Sequence, residues 1–326
     1  MTTPLLQVKD LCISFDTDAG RLLAVDHINF HVNPGEILGI VGESGSGKSV
    51  SAMSLLRLVP SPPGVRESGS ALFDGKDLLT IPLEELRKIR GNDISVIFQE
   101  PMTALSPLHK IGNQIMETIL LHREMSKDDA RTLAREWLSR VGIPDVDQKM
   151  AAYPHQLSGG MRQRVMIAMA LVLEPRLIIV DEPTTALDVT IQAQIFDLIK
   201  EMKSKNTAMI LITHDMGVVW EMCDRVAVMY GSCIIEEAST ADLYQHPRHP
   251  YTRALLDTMP ALAQPGTVLP AIEGQVPSPL DYPTGCRFAD RCAHVQDTCK
   301  TRNPELQDSA PGHSAACLFP LEEARS

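Results

Sequence analysis

The chain has 326 residues, enough for one large domain or two smaller ones with a substantial core. Its formal net charge of −11 argues against a protein that lives on a nucleic-acid backbone, because such affinity comes mainly from Lys and Arg against phosphate. The first ten residues lack a basic region followed by an apolar one, and the longest apolar run, 165–173, is far short of a membrane span. The expectation is a cytoplasmic chain that reaches any membrane through partners.

From Leu5 to Val41, short runs alternate apolar and polar residues. Leu11–Phe15 and Ile28–Val32 read as antiparallel strands, with turns at 16–20 and at Asn33-Pro34-Gly35. Phe15 is either a platform for an adenine ring or a core aromatic. Next, a strand-type run, Glu36–Val41, leads into Gly42-Glu43-Ser44-Gly45-Ser46-Gly47-Lys48-Ser49, and a helical segment, Val50–Leu56, follows. This is G-x-x-x-x-G-K-S in its required context of strand, glycine loop and helix. Its glycines let successive N–H groups point into one concavity, at the positive end of a helix dipole, where a phosphate chain binds. Lys48 would reach the β- and γ-phosphates, and the Ser49 hydroxyl would ligate Mg²⁺.

Residues 60–64 break that helix, and Ser70–Phe73 with Asp74-Gly75 reads as a hairpin. Ile94–Phe98 is a buried strand that ends at Gln99-Glu100-Pro101. Between Leu105 and Tyr153 the pattern turns helical. Ala130, Leu133, Ala134, Trp137, Leu138 and Val141 form an apolar stripe stopped by Gly142 and Pro144. Gln156–Arg164 then runs into an apolar helix. Leu177–Val180, all apolar and buried on both faces, ends in Asp181-Glu182-Pro183, and Ala208–Thr213 ends at His214-Asp215. A helix over 190–202 and two strands around Gly231-Ser232 complete this part. After Thr240 proline becomes frequent. A boundary is placed near residue 240, followed by a loop-rich module too poor in apolar pattern to hold itself by core alone.

The combination of these segments resembles the ABC ATPases. Leu157-Ser158-Gly159-Gly160 resembles their L-S-G-G signature, Gln99 the Q-loop, Thr185-Ala186-Leu187-Asp188 the D-loop and His214 the switch histidine. One departure is Met161, where many members have Gln. The resemblance covers residues 5 to about 240. It implies a P-loop α/β core with an antiparallel β subdomain and a helical insert, roughly 100–156. It also implies ATP and Mg²⁺ as ligands. Asp181 and Gln99 would serve Mg²⁺ beside Ser49, Gln99 would also sense the attacking water as a catalytic residue, Glu182 would polarise that water, and His214 would contact the γ-phosphate. Ser158, Gly159 and Gly160 would close on the nucleotide of an opposite subunit, in a homodimer or heterodimer.

The tail narrows the resemblance. His246-Pro247-Arg248-His249-Pro250-Tyr251-Thr252-Arg253-Ala254-Leu255-Leu256 is similar to the H-P-Y-T-x-A-L-L segment of the ATP-binding subunits of oligopeptide and dipeptide importers, as are Phe98–Leu105 and Tyr153–Leu157. Among them, the chain resembles the D-type subunit of the dipeptide permeases. That branch implies a second ATPase, two membrane permeases and a periplasmic binding protein, at the cytoplasmic face of a bacterial inner membrane and without nucleic acid. Nickel or another small solute is an alternative cargo. A soluble ABC ATPase acting on nucleic acid or the ribosome is the alternative from another class.

Of seven cysteines, Cys12, Cys223 and Cys233 sit among apolar neighbours and read as buried thiols. Cys286, Cys292, Cys299 and Cys317 are spaced C-x5-C-x6-C-x17-C, which suits a metal in a cytosolic chain. A tight C-x2–4-C knuckle, the usual start of a zinc site, is missing. Members of this branch can carry a [4Fe-4S] cluster here. Zn²⁺ and four metal-free thiols are the alternatives.

Overall fold

A computed structural model of the chain describes residues 3–99, 104–183, 189–259 and 270–322. It divides into two compact units, 1–81 with 211–326 and 82–210. The chain therefore starts in the first unit, passes through the second and returns.

In the first unit, β1 (Leu6–Thr17) pairs antiparallel with β2 (Gly20–Val32) on one side and β4 (Gly64–Phe73) on the other. β5 (Lys76–Asp77) closes the four-stranded sheet through the turn at Asp74-Gly75, as the turn chemistry predicts. The observed strands are longer than their apolar cores, and bulges in the β1 pairings absorb the register shifts. Between these strands comes β3 (Ile37–Val41), buried at every residue, and then α1 (Lys48–Leu55). Arg57 takes φ 51°, and Pro60 soon follows, so the helix ends where the sequence breaks it.

The second unit holds α2 (Leu83–Ile89), β6 (Ile94–Ile97), α3 (Ile111–His122), α4 (Lys127–Arg140), α5 (Val146–Met150), α6 (Gly159–Leu171), β7 (Leu177–Asp181) and α7 (Val189–Met202). β6 and β7 pair in parallel, and β7 is buried throughout, as its all-apolar run requires. The predicted stripe is the buried face of α4, which carries Ala130, Ala134, Trp137 and Leu138. Ser126 caps that helix by accepting from the Asp129 N–H at 3.1 Å. α3, not separately resolved by the sequence pattern, buries Ile111, Ile115 and Ile119 and packs on α4 and α5.

The chain re-enters the first unit within β8 (Ala208–Thr213) and continues through α8 (Met216–Met222), β9 (Arg225–Tyr230) and β10 (Cys233–Ser239). β3 and β9 are parallel, while β9 and β10 form a hairpin around Gly231-Ser232. The tail is less irregular than its proline content predicts. It contains α9 (Thr240–Gln245), α10 (Pro250–Asp257), α11 (Asp297–Thr301), β11 (Gln307–Ala310) and β12 (His313–Ala315), and β12 adds to the edge of β10. Buried charge fastens this addition. His313 lies with Nε2 2.7 Å from Glu236 and Nδ1 2.7 Å from Asp242, and the remaining capacity of Glu236 is filled by the Arg248 and His249 N–H groups at 2.6 and 2.9 Å. Burial alone would lower the pKa of His313, but the two carboxylates outweigh it and raise it.

Candidate nucleotide and metal sites

The loop 42–49 joins β3 to α1 in the first unit. Gly42 takes φ 150°, and a Cβ there would lie 2.1 Å from the Met229 carbonyl oxygen of β9. Gly47 takes φ 97°, and its Cβ would meet the Ala24 carbonyl oxygen of β2 at 2.2 Å. Only glycine lets the loop rest this close on two strands. Lys48 is buried, and its Nζ donates to the carbonyls of Gly42 at 2.9 Å and Glu43 at 3.0 Å. The ammonium thus lies across the concave side of its own loop. Ser44 and Gly45 are exposed, Ser49 is half-buried, and the buried Ser46 Oγ has no hydrogen-bond partner among the described residues. Phe15 is half-buried and lies opposite Gly64 in the β1–β4 pairing, and His214 is exposed just after β8.

Gln99, Ser158, Gly159, Gly160, Asp181 and Glu182 belong to the second unit. Gln99 is exposed after β6. Ser158 is the N-cap of α6: its hydroxyl accepts from the Met161 N–H at 3.3 Å, which leaves Gly159 and Gly160 in the exposed first turn. A helix N-terminus with free N–H groups suits a phosphate. Asp181 ends β7, buried, and Glu182 follows with φ 40°, a conformation uncommon for a residue with a side chain. The segment Thr185–Asp188 and residues 100–103 lie outside the described residues.

The four tail cysteines come together. Cys286, Cys292, Cys299 and Cys317 line one small cavity with His249, Phe288 and Phe319. Burial pushes the Cys317 thiol up to about 11 and raises Cys286 and Cys292, with the other cysteines of the group adding to the rise. A cation in the cavity would reverse that cost, since thiolates are the ligands. His249 is buried with its pKa lowered to about 4, so it is neutral, and its Nδ1 accepts from the Tyr251 N–H at 3.0 Å. Cys12 and Cys223 are buried as expected, while Cys233 is half-buried beside Arg287.

Sequence reasoning missed the contacts between this tail and the loop. Glu43 is held by Tyr251 and Arg291, which lie far away in sequence and side by side in the fold. The H-P-Y-T segment pointed to Tyr251 but gave no reason for it. Nothing in the pattern pointed to Arg291.

The comparisons agree with this geometry. Residues 25–185 match the family model described as ABC transporter, and residues 235–299 match that of the oligopeptide/dipeptide transporter C-terminal region. The chain is 49% identical to a probable peptide ABC transporter ATP-binding protein of Sinorhizobium fredii, over 96% of this chain and 94% of that protein. It is 47% identical to the oligopeptide transport ATP-binding protein OppD of Escherichia coli, over 98% of this chain and 94% of that one. Among solved structures it is similar to a dimeric ATP-binding cassette in a post-hydrolysis state bound to ADP and Pi, with TM-score 0.64 and 26% identity over 72% of this chain and 98% of that one. A phosphate loop on two strands, an acidic end to a buried strand and two matching family models leave one conclusion: the chain belongs to the ABC transporter ATP-binding proteins, in the branch that carries the oligopeptide/dipeptide transporter C-terminal region.

Proposed function

We propose that the chain is the ATP-hydrolysing motor of a peptide importer. The phosphate loop carries this reading: its strand contacts accept only glycine, and its lysine is already laid across the concavity. The similarity to OppD of Escherichia coli supports peptide as cargo. In this reading Gly42–Ser49 hold the phosphate chain, with Phe15 beside the base. Ser49, Asp181 and Gln99 hold Mg²⁺, and the hydroxyl, carboxylate and amide oxygens fit that hard cation. Bound Mg²⁺ neutralises charge on the phosphates. Glu182 orients and polarises the water, and His214 contacts the γ-phosphate. Such a reaction needs positioning and charge stabilisation more than covalent chemistry.

The Ser158–Gly160 end of α6 closes on the nucleotide of a second ATPase, a heterodimer in this reading. The dimeric cassette with ADP and Pi supports pairing of this kind. The helical insert docks a cytoplasmic segment of each of two permeases at the groove formed by Asn113, Met116, Glu117, Leu120, Leu121 and Lys127, where Leu121 is 73% exposed. A periplasmic binding protein completes the assembly at the inner membrane. Among the described residues no helix is long and apolar enough to cross a membrane, which accords with a peripheral subunit. In this reading a boundary near residue 240 separates the nucleotide domain from the tail module.

In this reading the tail cysteines hold a [4Fe-4S] cluster rather than a single Zn²⁺. Thiolates around one zinc ion at 2.3 Å are about 3.8 Å apart. All four tail cysteines line the same cavity, and a cube takes one thiolate for each of its four irons. A cube of four irons spreads its ligands further. Its chemistry in this module is that of a covalent staple between loops that share little core.

The test is reconstitution of the complete transporter in vesicles. ATP hydrolysis should be low for the isolated chain and rise when peptide-loaded binding protein is added outside. Hydrolysis indifferent to both permeases and loaded binding protein would count against the importer reading.

A further inference from the structure

The phosphate loop is gripped by the tail at two groups of one residue. The Glu43 backbone N–H donates to Tyr251 Oη at 3.0 Å, and both Glu43 carboxylate oxygens accept from Arg291 Nη1 at 3.1 Å. Neither partner is free to drift. Arg291 is 5% exposed, and it donates through Nε to the Glu273 carbonyl at 2.9 Å, through Nη2 to the Ile272 carbonyl at 3.2 Å and through Nη1 also to Tyr230 Oη at 3.2 Å. Tyr251 is fully buried, its ring 4.7 Å from that of Tyr230 and 5.4 Å from that of Phe288.

What Glu43 does next gives the grip its consequence. Its carbonyl accepts from the Ser46 N–H at 3.3 Å and from Lys48 Nζ at 3.0 Å. Fixing Glu43 therefore fixes the turn of the loop and the resting place of the lysine that meets the phosphates. Only the guanidinium side of this pair is shielded from water, and a charge-assisted contact anchored in that way keeps its geometry better than a fully exposed one. Arg291 also immediately precedes Cys292, and Phe288 lines the cysteine cavity, so the segment between the first two cysteines of that site is the one that reaches the loop.

We infer that Arg291 and Tyr251 are positioning residues for ATP: by holding Glu43 they keep the loop in its binding-competent shape, so the C-terminal tail sets the nucleotide affinity. This rests on the ATPase reading above. A loop that is competent only part of the time binds more weakly by that fraction, with chemistry after binding unchanged. Loss of the grip therefore raises KM for ATP and leaves kcat nearly untouched.

The experiment is equilibrium binding of a non-hydrolysable ATP analogue with Mg²⁺ to the purified full chain, with thermal melting recorded alongside. Variants are R291Q, R291K, Y251F, E43Q and the double E43Q/R291Q. R291Q and E43Q should each raise Kd about tenfold, R291K less, and Y251F, which keeps the ring packing, about threefold. The double variant should be no worse than either single, because both remove the same contact. Wild-type affinity in folded R291Q overturns the inference, as does a full further loss when R291Q is added to E43Q. If R291Q does not fold, wild-type affinity in Y251F and E43Q overturns it just as well. A wild-type chain that binds no analogue overturns the ATPase reading together with this one.

Discussion

The phosphate loop and the four-cysteine cavity lie in the same unit but are built in opposite ways. The loop is eight consecutive residues, and its chemistry is mostly backbone: glycines pressed on the Met229 and Ala24 carbonyls, and one lysine folded across. The cavity gathers side chains spread over residues 249–319, with few long elements to hold them. A contiguous motif carries its own geometry and needs the fold only as a platform. A dispersed site has no geometry until the fold exists.

Four changes test this contrast. The largest effect falls on the backbone. Gly42→Ala drives a Cβ into the Met229 carbonyl, so ATP binding should be lost to below detection in a nucleotide titration, with ~3 kcal/mol of stability lost as well. Binding that survives would show that the loop is not held against β9. Next, Glu182→Gln should slow hydrolysis about 10²- to 10³-fold while nucleotide still binds, read by phosphate release beside a binding titration.

The third change addresses the cavity. Cys286→Ser or Cys317→Ser should remove bound iron and sulfide and lower the melting temperature of the full chain by roughly 5–10 °C. Anaerobic purification, visible absorption and metal assay read the first effect. A colourless wild-type chain with one zinc would reassign the site as a single-ion staple and would leave the loop untouched.

The smallest effect is a pH dependence of the tail. The folded pKa of His313 is raised above its ordinary 6.5, so its contribution is full below 6.5 and is lost as pH rises through the folded value. Burial would raise Asp242, but the bonds from His313 and His246 win and lower it below its ordinary 3.8, so its contribution is full above 3.8 and is lost at more acid pH. The pair is strongest between these limits. Melting of the full chain should fall by about 2–4 °C from pH 6 to pH 8.5, and His313→Gln should flatten that slope. An unchanged slope in the variant would assign the pH effect elsewhere.

Much of the fold was legible. The strand runs, the hairpin turns at Asp74-Gly75 and Gly231-Ser232 and the stripe of α4 follow from periodicity and turn chemistry, and the structure has them all. Strand lengths were underestimated, because β1 and β2 continue into polar residues that only pairing makes extended. The tail was read as loops because proline and polar residues hide short helices whose stability comes from long-range partners. β12 has only three residues, and it exists because β10 offers an edge and Glu236 offers His313 a buried partner.

The nucleotide chemistry is written in local patterns along the chain. A glycine loop between strand and helix, acidic residues after an all-apolar strand and a serine before two glycines are local patterns, and local patterns dictate backbone conformation and ligand type. Which side chains hold that loop in place depends on long-range packing. Arg291 is 248 residues from Glu43 and Tyr251 is 208, and no periodicity or spacing links positions that meet only when the tail packs against β9 and the loop.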